Sequence, residues 1–292
     1  MLNIHLRNQF PPGKPAFVLL LAGSFLFSCK PAEREHTGIE KSGISKVIDL
    51  RIDSLLNSLD LDGSVLVYDP NEKMYYSNDF EWAETGHLPA STFKIPNSII
   101  ALETGRVKDE KTMFPWDGKR RRMNIWEKDL TFREAFQLSC VPCYQEIARK
   151  TGAETMRKYL DLFRYGDMIV DSASIDVFWL EGDSKISQFQ QVDFLNRFYN
   201  SELPVSDSTV SIMKRILVKE KNESWTISAK TGWSVRNGNN NGWYVGYLEK
   251  GSRVYFFASN VDPNEEFNLD MFYRIRIDLT MQALRILGLI DQ

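Results

Sequence analysis

Apolar positions change their spacing several times along the chain, and each change marks an element. Within 47–59, apolar residues recur at Val47, Ile48, Leu50, Ile52, Leu55, Leu56 and Leu59, the spacing of a helix with one covered face. Residues 63–77 hold two β-rich runs around Asp69-Pro-Asn-Glu72, which predicts a hairpin. The pattern is mostly helical from about 92 to about 218. Strand-like runs return at 225–230, 242–249 and 253–260, and 270–289 has helical period again. Strands towards both ends, with helices between them, predict one α+β unit. Its antiparallel sheet is built from both termini and flanked by a mainly helical layer.

The first residues follow neither period. Arg7 and Lys14 precede the run Ala16-Phe-Val-Leu-Leu-Leu-Ala-Gly-Ser-Phe-Leu-Phe27, which is too short to cross a bilayer comfortably and has the length of a signal-peptide core. It ends in Leu26-Phe-Ser-Cys29, which resembles a bacterial lipoprotein box with Cys29 as the lipidated first residue. The expected organisation is therefore a lipoprotein-type signal peptide over 1–28, a polar flexible tether over 29–45 and one domain over 46–292. A periplasmic location follows, with membrane attachment only through a lipidated Cys29.

Composition narrows the chemistry. The 292 residues are 43% hydrophobic, enough for a sizeable core, and a formal charge of −3 gives no reason to expect nucleic acid as a partner. The basic run Lys119-Arg-Arg-Arg122 reads as a solvated face. Of the three histidines, His5 and His36 fall in the leader and tether, so His87 alone is left to the domain. A serine triad with a histidine base, or a histidine-rich zinc site, is poorly supplied. No metal is expected, and the base of any hydrolysis must be another group.

That group is foreshadowed in Pro89-Ala-Ser-Thr-Phe-Lys-Ile-Pro-Asn-Ser98. Ser91 and Lys94 stand one turn apart on a run whose neighbours Phe93, Ile95, Ile99 and Ile100 are apolar. A serine hydroxyl is a weak nucleophile without an adjacent base, and a lysine becomes a base when burial lowers its pKa. Taken alone, the pair also reads as a helix cap beside a lysine that reaches to solvent. Two later strings alter the balance. Ser139 offers a second hydroxyl at the start of a helix, and Lys230-Thr-Gly232 ends a β-rich run with a cation, a hydroxyl and bare backbone. Cys140-Val-Pro-Cys143 spells a C-x-x-C, but no βαβ pattern surrounds it, so packed thiols or an incidental disulfide are expected there. His87 is expected to pack in a loop.

Ser-x-x-Lys, a second serine and a distant Lys-Thr-Gly form the motif set of penicillin-recognising serine enzymes. Within that superfamily the chain resembles the class D, oxacillinase-type, serine β-lactamases. The likeness runs through Trp116-Asp-Gly118 with Trp126 and Asp129, Ser139-Cys-Val-Pro-Cys-Tyr-Gln145, Tyr165-Gly-Asp167 and Phe178-Trp-Leu-Glu-Gly182. It continues through Ile186-Ser187 with Gln191-Val192 and Phe194-Leu195, Lys230-Thr-Gly-Trp233, and Gly242-Trp-Tyr-Val-Gly246. The resemblance implies a β-lactamase/transpeptidase fold and hydrolysis of a β-lactam amide through an acyl-enzyme on Ser91. Lys94 resembles the family lysine that takes up CO₂ as a carbamate (N6-carboxylysine) and serves as general base; no other cofactor is implied. Val141 and Trp179 match the carbamate's surroundings, and Ser139 and Lys230 match the proton-relay and electrostatic positions. Thr231, Gly232 and Trp233 match the substrate-binding strand, and the backbone N–H groups of Ser91 and Trp233 match the oxyanion hole. Arg276 best fits the arginine that binds the substrate carboxylate, with Arg274 as the neighbouring alternative. Asp167 stands where the family usually has Asn; the position is read as structural, and the departure bears on substrate preference more than on activity. A β-lactam sensor domain that stays acylated, or a peptidoglycan peptidase, shares part of this pattern, and whether the chain forms a homodimer is left open.

Overall fold

The computed structural model describes residues 43–291 and the backbone of one further strand, Glu35–Ile39. The expected signal peptide and Cys29 lie outside the described residues, as does most of the expected tether.

An eight-stranded sheet organises the described chain. Its strands are β1 (Glu35–Ile39), β2 (Ser45–Ile48), β3 (Leu61–Asp69), β4 (Met74–Ser77), β7 (Val218–Lys221), β8 (Thr226–Arg236), β9 (Asn239–Lys250) and β10 (Arg253–Pro263). They lie in the order β1-β2-β4-β3-β10-β9-β8-β7, so early and late strands meet where β3 pairs with β10. A two-stranded ribbon joins β5 (Met113–Phe114) to β6 (Leu130–Thr131). The helices are α1 (Leu50–Ser58), α2 (Phe80–Glu84), α3 (Lys94–Glu103), α4 (Phe132–Gln137), α5 (Val141–Thr151), α6 (Ala153–Phe163), α7 (Gln188–Tyr199), α8 (Asp207–Leu217) and α9 (Phe272–Ile286).

Both faces of the sheet are covered, which is why its central strands are apolar at nearly every position. On β3, β9 and β10, Val65, Val67, Tyr244, Leu248 and Phe257 pack with α1 and α9. The alternate residues Leu66, Trp243, Val245, Tyr247, Phe256 and Ala258 join the core shared with the helical layer. The β8–β9 hairpin closes on Asn237-Gly238, both at positive φ (51° and 83°), the conformation a two-residue hairpin loop demands.

The structure departs from the expected helix over 47–59. Val47 belongs to β2, and the helix starts only at Leu50, capped by the Asp49 side chain, which accepts from the Arg51 N–H at 3.1 Å. The expected antiparallel sheet also contains one parallel pair, β2 with β4. The cause is connectivity: α1 reverses the chain between β2 and β3, and the hairpin reverses it again into β4. The single α+β unit, with a sheet drawn from both ends and a helical layer between, stands.

Candidate active site

Ser91 lies on a short 3₁₀ turn, Ala90–Phe93, that runs directly into α3. Residues i and i+3 eclipse in a 3₁₀ helix, so the turn sets Lys94 over Ser91, and Lys94 Nζ donates to Ser91 Oγ at 2.9 Å. The turn is anchored on several sides. Thr92 Oγ1 donates to Pro89 O at 2.7 Å and accepts from Gln191 Nε2 at 2.9 Å. Trp243 Nε1 on β9 donates to Leu88 O at 2.9 Å. Ala90, just before the nucleophile position, has φ +49°, a backbone conformation that costs a non-glycine residue about 1–2 kcal/mol. Such strain persists only where surrounding contacts over-determine it.

Lys94 is fully buried, with its Nζ 5.3 Å from the centre of the Tyr144 ring. Burial alone brings its pKa down to about 7. Lys230 is 1% exposed and held well below the usual lysine range, by burial first and then by the charges of Lys94, Lys219 and Arg276. Its Nζ donates to Ser139 Oγ at 3.0 Å and to Thr231 O at 3.0 Å. The structure thus brings Ser91, Lys94, Ser139 and Lys230 into one centre whose two amines are both shifted towards the neutral form. An unprotonated amine accepts a proton; an ammonium cannot.

Lys230–Trp233 form the side wall of this centre. The strand that carries them, β8, is flanked by β9 and β7. Of these, β7 pairs only with Thr226–Ser228, so Lys230 and the residues after it lie past its reach. A Cβ on Gly232 would sit 3.0 Å from Pro89 O and 3.1 Å from Thr92 Cγ2, so the strand passes close against the nucleophile turn and a side chain there would push its neighbours aside. Arg276, 4% exposed, donates through Nη1 to Gly232 O and through Nε to Phe272 O at 2.8 Å. Its guanidinium lies 5.5 Å from the centre of the half-exposed Trp233 ring, and burial lowers its pKa to about 10. Arg274 instead faces outward and pairs with Asp278 at 3.2 Å.

Trp179 closes the other side. It is completely buried, yet its indole Nε1 has no hydrogen-bond partner. A donor buried in this way costs about 1–3 kcal/mol, so it points to an acceptor absent from the bare chain. Val141, the first residue of α5, packs against the same core.

Several other expected residues sit outside the reacting centre. His87 stacks on Trp82 with ring centres 5.3 Å apart, and burial first, then Lys185, lowers its pKa to about 4, which suits packing. Asp167 joins Lys185 through backbone bonds of 2.8 and 2.9 Å, and its side chain is exposed. Cys140 and Cys143 form a disulfide with Cα atoms 5.5 Å apart. Sequence reading overlooked Tyr144 and Phe136, whose rings lie 5.3 Å from Lys94 Nζ and 5.8 Å from Lys230 Nζ. Tyr144 was visible within the Ser139–Gln145 motif; Phe136 carried no signal beyond helical period.

The family model for the penicillin-binding protein transpeptidase domain matches residues 63–273. Beta-lactamase OXA-5 of Pseudomonas aeruginosa is 47% identical over 196 residues, which cover 66% of this chain and 73% of that protein. Beta-lactamase OXA-10 of the same organism is 45% identical over 214 residues, 72% of this chain and 80% of its own. Among solved structures, the class D β-lactamase YbXI from Nostoc superposes with a TM-score of 0.78 at 40% identity, covering 82% of this chain and 99% of that one.

Proposed function

The chain belongs to the class D serine β-lactamases, and on that premise we propose that it hydrolyses β-lactams through an acyl-enzyme on Ser91, with a carbamate on Lys94 as general base. The observation that carries the carbamate is a buried amine, its pKa near 7, whose chain neighbour Phe93 stacks on Trp179, a residue with an orphaned indole N–H.

Lys94 and Trp179 would hold the group: CO₂ added to the neutral Lys94 amine, with one proton lost to water, would give a carboxylate to which Trp179 Nε1 could donate. Bound there, the group supplies an anionic base in a site without a catalytic histidine. Ser91 Oγ gives up its proton to the base on Lys94 as it attacks the lactam carbonyl, and the backbone N–H groups of Ser91 and Trp233 receive the developing oxyanion. Lys230 and Ser139, 3.0 Å apart, pass a proton to the departing lactam nitrogen. Arg276 meets the substrate carboxylate beside Trp233. Water activated at the same base then releases the product from Ser91.

Purified protein mixed with a chromogenic cephalosporin should give many turnovers per molecule. Ser91→Ala should give none, and intact-mass spectra should show no covalent penicillin on the variant. Labelling of wild type without turnover would favour a sensor domain instead. A ¹³C spectrum in labelled bicarbonate should show a carbamate resonance that Lys94→Ala removes; full activity in CO₂-free buffer without that resonance would leave unmodified Lys94 as the base.

The same reading extends to location. Basic residues, a short apolar run and Leu26-Phe-Ser-Cys29 support export and lipidation at Cys29, with the domain on the periplasmic side of a membrane. Cys29→Ser should move the protein to the soluble periplasmic fraction, and unchanged fractionation would make the cysteine incidental.

A further inference from the structure

The disulfide lies against the catalytic centre. Cys140 follows Ser139 directly, and Val141 lies inside the loop that the bond closes. When both cysteines of a C-x-x-C are helical, the bond joins consecutive turns and constrains little. Here Cys140 is the N-cap of α5, outside the helix at φ −56° and ψ 100°, while Cys143 is already helical. The bond therefore fixes the direction in which the chain enters α5.

That direction matters for Ser139, which has φ +56°, a conformation unfavourable for a residue with a Cβ. Local backbone bonds hold it, Ser139 N–H to Phe136 O at 3.1 Å and Cys140 N–H to Ala135 O at 2.8 Å. No Ser, Asp or Asn caps the helix; the Cys143 N–H reaches only Cys140 Sγ, at 3.3 Å. Without the disulfide, these backbone bonds alone hold the strained residue before the cap.

The bond is also approachable. A cleft of about 350 Å³ is lined by both cysteines, by Lys119, Arg121, Lys128 and Arg149, and by the carboxylates of Asp117 and Glu146. Both cysteines line that cleft, and Cys143, 9% exposed against 1% for Cys140, is the more accessible of the two residues.

We propose that the Cys140–Cys143 disulfide is a positioning element for Ser139, and that a dithiol reductant opens it from this cleft to slow the enzyme. The proposal rests on the reaction given above. One thiolate of the dithiol attacks Cys143 Sγ, and Cys140 Sγ leaves as a thiolate at the N-terminus of α5, where such anions are favoured, then takes a proton. The second thiolate attacks the mixed disulfide and frees Cys143. Two electrons pass to the protein, and the dithiol ends as its own cyclic disulfide. Ser139 then relaxes from positive φ, and its hydroxyl leaves Lys230.

The test compares oxidised full-length protein with the same sample after dithiothreitol, with alkylation mapped to Cys140 and Cys143. The reduced enzyme should lose about tenfold to a hundredfold in kcat, the scale of a misplacement of about 1 Å, with KM nearly unchanged. It should melt cooperatively and recover on reoxidation. Cys140→Ala/Cys143→Ala should share the lowered kcat and ignore reductant. Undiminished kcat in the reduced enzyme or the double variant overturns the proposal, as does loss of folded structure on reduction, or thiols that stay unreactive in the folded protein. Redox-indifferent turnover strikes only this inference. Absence of turnover in oxidised protein strikes the proposed function and takes this inference with it.

Discussion

Trp179 stacks on Phe93 with ring centres 5.1 Å apart, and Phe178 meets both rings edge-on. Phe93 immediately precedes Lys94, so this stack ties the orphaned indole N–H to the element that carries the buried amine. Trp179→Phe keeps a ring in the stack and removes only the donor. A hydrogen bond to a charged group contributes about 1.5–3 kcal/mol, so kcat should fall roughly tenfold to a hundredfold, with part of the loss recovered in added bicarbonate. Unchanged activity with no bicarbonate dependence would remove Trp179 from the carbamate site.

Acidity should act through Lys94. With its pKa lowered to about 7, the amine is mostly neutral above that value and protonated below it. Turnover should therefore fall as pH drops through about 7, and bicarbonate should oppose the loss.

The same shift has a sign for stability. Between about 7 and 10.5 the unfolded chain holds a proton on this lysine that the folded chain lacks. Lys94 thus opposes folding increasingly as pH falls through that window, and the penalty levels off below about 7. In CO₂-free buffer at neutral pH, Lys94→Met should abolish turnover yet stabilise the fold by roughly 1–2 kcal/mol, read as a higher Tm. A variant no more stable than wild type would mean that the amine is better solvated than its burial implies.

Gly242 is the space into which Arg276 fits. A Cβ there would collide with the Arg276 side chain and lie 2.7 Å from Phe272 Cζ. Gly242→Ala should displace the guanidinium and raise KM for carboxylate-bearing β-lactams by about tenfold, with a smaller change in kcat, at a stability cost of about 1–3 kcal/mol. A substrate with that carboxylate esterified should lose the discrimination. Equal KM changes for acid and ester would show that Arg276 does not read the carboxylate.

Asp167 uses its backbone, and its carboxylate faces solvent. Asp167→Asn should leave turnover within about twofold and stability within about 0.5 kcal/mol. A large change in substrate preference would place the position in the binding site.

Much of the site was legible because its chemistry is local. Ser91 and Lys94 need only one turn of backbone, and Lys230-Thr-Gly232 need only a strand. What brings the two together is not local: the Trp243 bond to Leu88 and the fit of Gly232 against Pro89 join segments far apart in sequence. The β2–α1 boundary was missed because Val47 and Ile48 satisfy helical spacing and strand propensity alike. Pairing with β4 decided between them. The Asn237-Gly238 turn was readable from its dipeptide and would have extended both neighbouring strands.

The pairing of β3 with β10 governs when this protein can come into being. Leu61 partners Pro263, so the strand that leaves the ribosome early waits for one made near the end. Until β10 arrives, β3 presents an unpaired edge, the kind of surface on which nascent chains adhere to one another. Long-range pairing of this kind also makes folding slow. Lys230 meets Ser139 only once the late strands are in place, so a message cut short before β10 yields no partly assembled site. It yields a sticky, inactive fragment for proteases to clear.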